Sequence, residues 1–191
     1  MGGRSTSGFT ITPDKLGSTV GSFEGTCAIV PFLHAPGFCK ITTMDRRSSG
    51  RLLTPFPDVS AMFTGALHIR AKTSTPSYAG YKIAFGADGA TRPTPSRHGG
   101  ATFKADFQLT GTDWQDVKIP FSQFSIDWSE YTGECSTLDP TGEQHHCCSA
   151  AHPEVCVTAA HLKAINTLEV WAEGVEGTFA LDIDWIGAGG L

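Results

Sequence analysis

Residues 179–185 read Phe-Ala-Leu-Asp-Ile-Asp-Trp, so that Phe179, Leu181, Ile183 and Trp185 alternate with Ala180, Asp182 and Asp184. A period of two is the mark of a β-strand with one buried and one wet face, because successive side chains leave the backbone on opposite sides. One wet face per strand implies antiparallel sheets rather than a helix-covered parallel sheet. On this reading Trp185 and Ile183 point inward and the two aspartates outward. The same alternation recurs over 66–72 (Leu67, Ile69 and Ala71 against His68, Arg70 and Lys72) and over 81–85 (Tyr81, Ile83, Phe85). It appears again over 102–109 (Phe103, Ala105, Phe107, Leu109), and strands are also expected over 114–119 and 168–172.

Turns separate these runs. Thr110-Gly-Thr-Asp113 precedes Trp114, and Glu173-Gly-Val-Glu-Gly177 reads as a hairpin turn before the last strand. Only 157–165 suggests a helix, and a short one. The 22 glycines and 11 prolines lie between short apolar runs, the punctuation of an all-β protein. With 191 residues, 40% of them apolar, the chain fits one β domain over 1–191 with a core of its own. Within the strand at 114–119, Trp114, Asp116 and Lys118 share a mixed face, which places Trp114 at the sandwich edge under Phe121 or Phe124.

Charge narrows the function. The net charge is −5 and only 17% of residues are charged. Nucleic-acid binding needs clustered Lys and Arg, and the nearest approach is the pair Arg46 and Arg47. No stretch nears the roughly 20 apolar residues that span a bilayer. Met1 is followed by Gly-Gly-Arg-Ser, with no apolar segment of the signal-peptide kind. Either the protein is cytosolic or the chain begins after a leader.

The cysteines favour the second. There are six: Cys27, Cys39, Cys135, Cys147, Cys148 and Cys156, four of them in one polar loop. An even number clustered this way reads as a disulfide framework in an oxidising compartment. Cys27 and Cys39 are expected to pair, closing a loop worth roughly 3 kcal/mol in the chain-entropy account. The adjacent Cys147 and Cys148 form a strained ring if joined to each other, so each bonds elsewhere, for instance to Cys135 and Cys156. The segment 145–156, with His145, His146 and His152 beside three cysteines, also admits a zinc site or free thiols. Its spacing is poor for zinc, and no Cys-x-x-Cys occurs. No metal or cofactor is expected.

Three blocks resemble one family. The opening MGGRSTSGF, with Phe23-Glu-Gly25 and Pro36-Gly-Phe38 after it, is similar to the start of the complex I intermediate-associated protein 30 family. The central TFKADFQLTGTDWQDVKIPFSQF is the most specific block, and TFALDIDWIGA resembles the family's closing strands. The resemblance implies a galactose-binding-like β-sandwich of jelly-roll type with no assigned catalytic residues. It implies an accessory or assembly protein that binds subunits of a membrane-bound electron-transfer complex, a photosystem or respiratory complex I. Docking is then peripheral to the membrane, without a transmembrane segment. The six cysteines, and an insertion over about 127–156 whose loop runs through 127–153, depart from the family pattern. That departure suggests the thylakoid lumen of a plastid, with the mitochondrion as the alternative.

Catalytic motifs are missing: there is no Gly-x-Ser-x-Gly, His-Glu-x-x-His or phosphate loop, and no enzyme is expected. Asp182 and Asp184 read as solvated-face residues, and the shared Pro120, Phe121 and Phe124 as scaffold. Trp128 and Tyr131 in the insertion are the candidate partner contacts, since Trp and Tyr favour interface anchors. They are also the stacking candidates of an alternative reading, a lectin-like carbohydrate-binding module.

Overall fold

The structure is a computed structural model, and it describes residues 4–13, 19–30, 35–43, 56–93 and 101–191. Gly2 and Gly3 of the opening block and the Arg46-Arg47 pair lie outside these. Among the described residues, eleven strands run β1 (Thr6–Pro13), β2 (Thr19–Cys27), β3 (Ile29–Val30), β4 (Ala35–Pro36), β5 (Phe38–Thr42), β6 (Ala66–Thr73), β7 (Tyr81–Ala87), β8 (Thr102–Asp106), β9 (Gln115–Pro120), β10 (Ile165–Glu173) and β11 (Gly177–Gly189). A five-stranded sheet in the order β1-β2-β11-β6-β9, the large sheet, faces a four-stranded one in the order β5-β10-β7-β8, the small sheet. Every pairing is antiparallel, and β3 and β4 form a separate ribbon. The result is an all-β sandwich of jelly-roll type, as the alternation and the resemblance required. No helix among the described residues is long and apolar enough to cross a membrane.

The core is what the two inner faces bury against each other. Phe23, Ile69, Phe179, Leu181 and Ile119 come from the large sheet, and Tyr81, Ile83, Phe85, Phe103 and Val170 from the small one. Phe23 packs on Phe179 at 4.8 Å between ring centroids, and Phe85 on Phe124 at 5.3 Å. Such tilted ring pairs add to the area they bury. Pro120 ends β9 at the sheet edge, where its missing N–H costs no ladder bond. The expected helix shrinks to α1 (Ala159–Lys163), held by a reciprocal cap between Thr158 and His161.

Three features differ from expectation. Trp185 does not point inward: it is 42% exposed. The register slips between Ile183, opposite Ala71, and Trp185, opposite Arg70, so Asp184 is an extra residue. One extra residue turns every later side chain to the other face, which carries Trp185 out beside Arg70. Trp114 is not covered by Phe121 or Phe124, which are fully buried against Phe85. It lies half-buried on the outer surface, with Lys72 Nζ 5.0 Å and Arg70 5.9 Å from its ring. And β7 is buried on both faces rather than one, because the insertion covers the outside of the small sheet.

Cys27 and Cys39 are also corrected: both are buried free thiols, not a disulfide. They are neighbours, but the Cys27 thiol turns to donate to the Ala172 carbonyl at 2.8 Å. Burial pushes that thiol up to about 12, so it carries almost no reactive thiolate.

Candidate functional site: the stapled insertion and the charged face beneath it

The insertion leaves the sandwich and returns to it at one neck. Ser125 forms β-bridges to Lys104 on one side and Cys156 on the other, and Ile126 N–H donates to Val155 O at 3.0 Å. Between these ends the chain is stapled twice, Cys135 to Cys147 and Cys148 to Cys156. The vicinal cysteines thus bond apart, as their geometry demanded. The two bonds consume the thiols that a zinc site would need. Among the described residues, no group of three or more His, Cys, Asp or Glu side chains is arranged to hold a metal ion.

Inside the loop, His145 is buried between two carboxylates, Nδ1 at 2.7 Å from Asp127 and Nε2 at 3.2 Å from Asp139. Asp127 also accepts the His146 N–H at 2.8 Å. Burial alone raises the Asp139 carboxyl, but hydrogen bonds from Thr141, His145 and the Glu143 backbone outweigh it and hold the group below the ordinary aspartate value. These bonds fix the hairpin in which Leu138 pairs with Gln144. At its surface Leu138 is 64% exposed.

Beneath the insertion lies a clasp of charge and indole. Alternation turns Lys82 of β7, Lys104 of β8, and Glu169, Trp171 and Glu173 of β10 outward, and the insertion then covers them. The Lys104 ammonium lies 3.5 Å from the Trp128 ring centroid and 3.8 Å from that of Trp171, and donates to Glu173. A desolvated cation–π contact is worth about 2 kcal/mol. Trp128 Nε1 donates to Thr102 O at 2.9 Å, and Arg92 sits 4.1 Å from its ring. Trp171 Nε1 donates to Glu169 at 3.0 Å, and Lys40 bonds the same carboxylate at 3.0 Å. Burial holds the Lys104 amine below the usual lysine value, only partly offset by Glu173. Lys82 is also desolvated, but the Asp106 and Glu134 carboxylates overcome this and raise it.

Trp128 is therefore part of the clasp, 5% exposed, and not a free anchor. The sequence showed an aromatic in a polar loop but not the cation it covers. Tyr131 is half-buried and stays at the surface. Lys104, Glu173 and Leu138 were missed: a lysine or glutamate at an outward strand position signals solvent unless a distant segment folds over it. Among the described residues, the arrangement pairs its charges internally. Its chemistry is that of a fastening between the insertion and the small sheet.

Comparison with known proteins agrees with this architecture. The complex I intermediate-associated protein 30 (CIA30) family profile matches residues 1–137. No curated protein matches the chain in sequence. Among solved structures, it is similar to a family 11 carbohydrate-binding module from Clostridium thermocellum, solved with a β-1,3-1,4-mixed-linked tetrasaccharide. That likeness has a TM-score of 0.55 at 14% identity, over 99% of this chain and 85% of that one. An exo-β-agarase gives a TM-score of 0.46 at 9% identity, over 98% of this chain and 23% of that one.

Proposed function

The chain belongs to the complex I intermediate-associated protein 30 family, and on that premise we propose that it is a non-catalytic accessory or assembly subunit that binds and stabilises a membrane-embedded electron-transfer complex. The family is associated with complex I assembly, and this association carries the proposal. It supports the mitochondrial alternative rather than the thylakoid lumen. The two disulfides call for an oxidising step in maturation.

The stapled insertion supplies the contact surface. Cross-links and the Asp127–His145–Asp139 bonds settle its conformation before docking, so little ordering entropy is lost on binding. Leu138 and Tyr131 are its anchors, replacing Trp128. The carbohydrate-binding alternative, as far as it rested on Trp128, loses its stacking ring to the interior.

The test is co-purification of a tagged chain from native membranes, with mass spectrometry of what accompanies it. The unaltered protein should bring down complex I subunits. Tyr131→Ala with Leu138→Asp should lose them while melting at the unaltered temperature, an anchor being worth about 2 kcal/mol or more. Recovery of no subunits, or equal recovery by the variant, refutes this assignment of the docking face.

A further inference from the structure

Among the described residues the large and small sheets have four edges, and three of them are guarded. β8 is bridged by Ser125 of the insertion neck, with Lys104 N–H donating to Ser125 O at 2.9 Å and the reverse bond at 3.1 Å. β9 carries Asp116 and Lys118 and ends at Pro120. β5 is only five residues long, with Lys40 at its centre. Covering, charge, proline and shortness are the devices that keep an edge from pairing with another chain. β1 lacks them. It is eight residues long, carries no charge, has its one proline at the very end, and pairs with β2 throughout without a bulge. Its Thr, Phe and Ile are strand formers. Every second residue of β1 therefore turns an N–H and a C=O away from the sheet, where no strand among the described residues takes them.

The side chains of β1 add an apolar ledge to this open ladder. Phe9 stands opposite Phe23 and Ile11 opposite Gly21, so both lie on the face that buries the core. Yet Phe9 is 45% and Ile11 68% exposed, and so are all eight residues of the strand on either face. β1 thus overhangs the small sheet. Phe9 Cε2 and Cζ reach across Gly21, where a Cβ would stand 2.9 Å from each. The start of the strand is pinned, since Ser5 Oγ accepts the Ala28 N–H at 3.1 Å. An open ladder is satisfied by an extended backbone. The ledge asks that this backbone bring apolar side chains on the same face as Phe9 and Ile11. β1 itself meets both demands.

We propose that the occupant of this edge is a second copy of the chain, joined β1 to β1 in antiparallel fashion about a two-fold axis perpendicular to the sheet. Such an axis keeps the inner faces of both copies on one side. Centred on Phe9, it sets Phe9 against its own symmetry mate, Ile11 against the second copy's Ser7, and Thr10 against the second copy's Gly8. Aromatic residues directly opposite each other stabilise a pair of strands, and like charges would oppose it. Thr6–Pro13 holds no charge to do so. The two large sheets become one sheet of ten strands, β9-β6-β11-β2-β1 followed by its reverse. Phe9 and Ile11 of both copies then meet beneath the seam, where neither small sheet reaches. The contact is isologous, so assembly closes at two. One pair of short strands is a small contact beside the roughly 1,200–2,000 Å² of stable complexes, and the dimer is reversible, with a Kd of about 1–100 µM.

The test is sedimentation equilibrium of the intact protein from about 1 µM to about 1 mM, a range that brackets this Kd. It should show monomer and dimer and nothing larger, and amide hydrogen exchange over residues 6–13 should slow as the dimer forms. Ile11→Lys puts an inward-pointing charge on each ledge, the device that guarded edges use. It should raise the Kd at least tenfold while leaving the circular dichroism spectrum and melting temperature unchanged, because Ile11 is mostly exposed. Phe63→Lys, which alters a residue as exposed as Phe9 but outside β1, should dimerise like the unaltered protein. A monomer at every concentration overturns the proposal, as does a dimer that Ile11→Lys leaves intact. Exchange over 6–13 that ignores concentration, or assembly past two, also overturns it. A monomer whose Ile11→Lys variant loses its co-purifying subunits makes the ledge a strip for another protein, which overturns the second copy as occupant. The Tyr131/Leu138 variant keeps the readings separable: it should dimerise normally whether or not its subunits are lost.

Discussion

Replacing Trp128 by alanine separates a structural indole from a binding one. The ring is 5% exposed, caps the Lys104 ammonium at 3.5 Å, carries Arg92 at 4.1 Å and donates to Thr102 O. Truncating a buried aromatic costs about 3–5 kcal/mol. The upper half applies here, because Lys104 keeps its burial while losing one of its two covering rings. About 4 kcal/mol, at roughly 2–4 °C for each kcal/mol in a chain of this size, lowers the melting temperature by roughly 8–16 °C. The assay is thermal unfolding followed by circular dichroism under non-reducing conditions, with Tyr131→Ala as the control that should melt within about 2 °C of the unaltered protein. A Trp128→Ala protein that melts with the control refutes the clasp. Trp128 would then be a surface residue, and its loss should weaken partner binding instead.

Intact mass under non-reducing conditions should show two disulfides, with Cys27 and Cys39 unmodified by iodoacetamide until urea unfolds the chain. A third disulfide, or fast labelling of the folded protein, contradicts the buried thiols. Asp139 titrates below its unfolded value, so its contribution to stability is complete above the ordinary aspartate range and fades as the pH drops through the lower folded value. Urea midpoints measured from pH 6 downward should fall, and Asp139→Asn should flatten that fall; an equal slope in both proteins removes Asp139 as the cause.

The strands β6 to β11 were legible because each keeps apolar residues on alternate positions, and that alternation is a local property of sequence. β1, β2 and β5 were not. β2 reads Thr-Val-Gly-Ser-Phe-Glu-Gly-Thr-Cys, and its glycines hide the period. Gly25 is there for closeness: a Cβ would lie 2.2 Å from the Thr6 carbonyl of β1. Trp185 was inverted because a bulge belongs to the pairing of two strands, not to either alone. The staples were half legible. Vicinal cysteines forbid one bond, which narrowed the choice in the insertion. Spacing alone suggested that Cys27 and Cys39 join, yet it says nothing of where each Sγ points. The clasp was invisible for the same reason, since Lys104 and Glu173 become interior only when a segment remote in sequence folds over them.

The position of β11 bears on how the protein reaches this state at all. β11 follows β2 and β6 far along the sequence yet sits between them in the large sheet. Its bond from Ser22 to Asp182 joins residues 160 positions apart. On a ribosome, the edges of β2 and β6 that β11 pairs therefore wait unsatisfied until β11 emerges. Contacts so distant in sequence make for slow assembly and a long-lived, aggregation-prone nascent chain. The insertion has no such wait, for its staples link cysteines 12 and 8 residues apart. It is free to cross-link early, a finished piece attached to an unfinished sandwich. A truncation that removes β11 should leave that piece intact and the rest of the molecule without a fold.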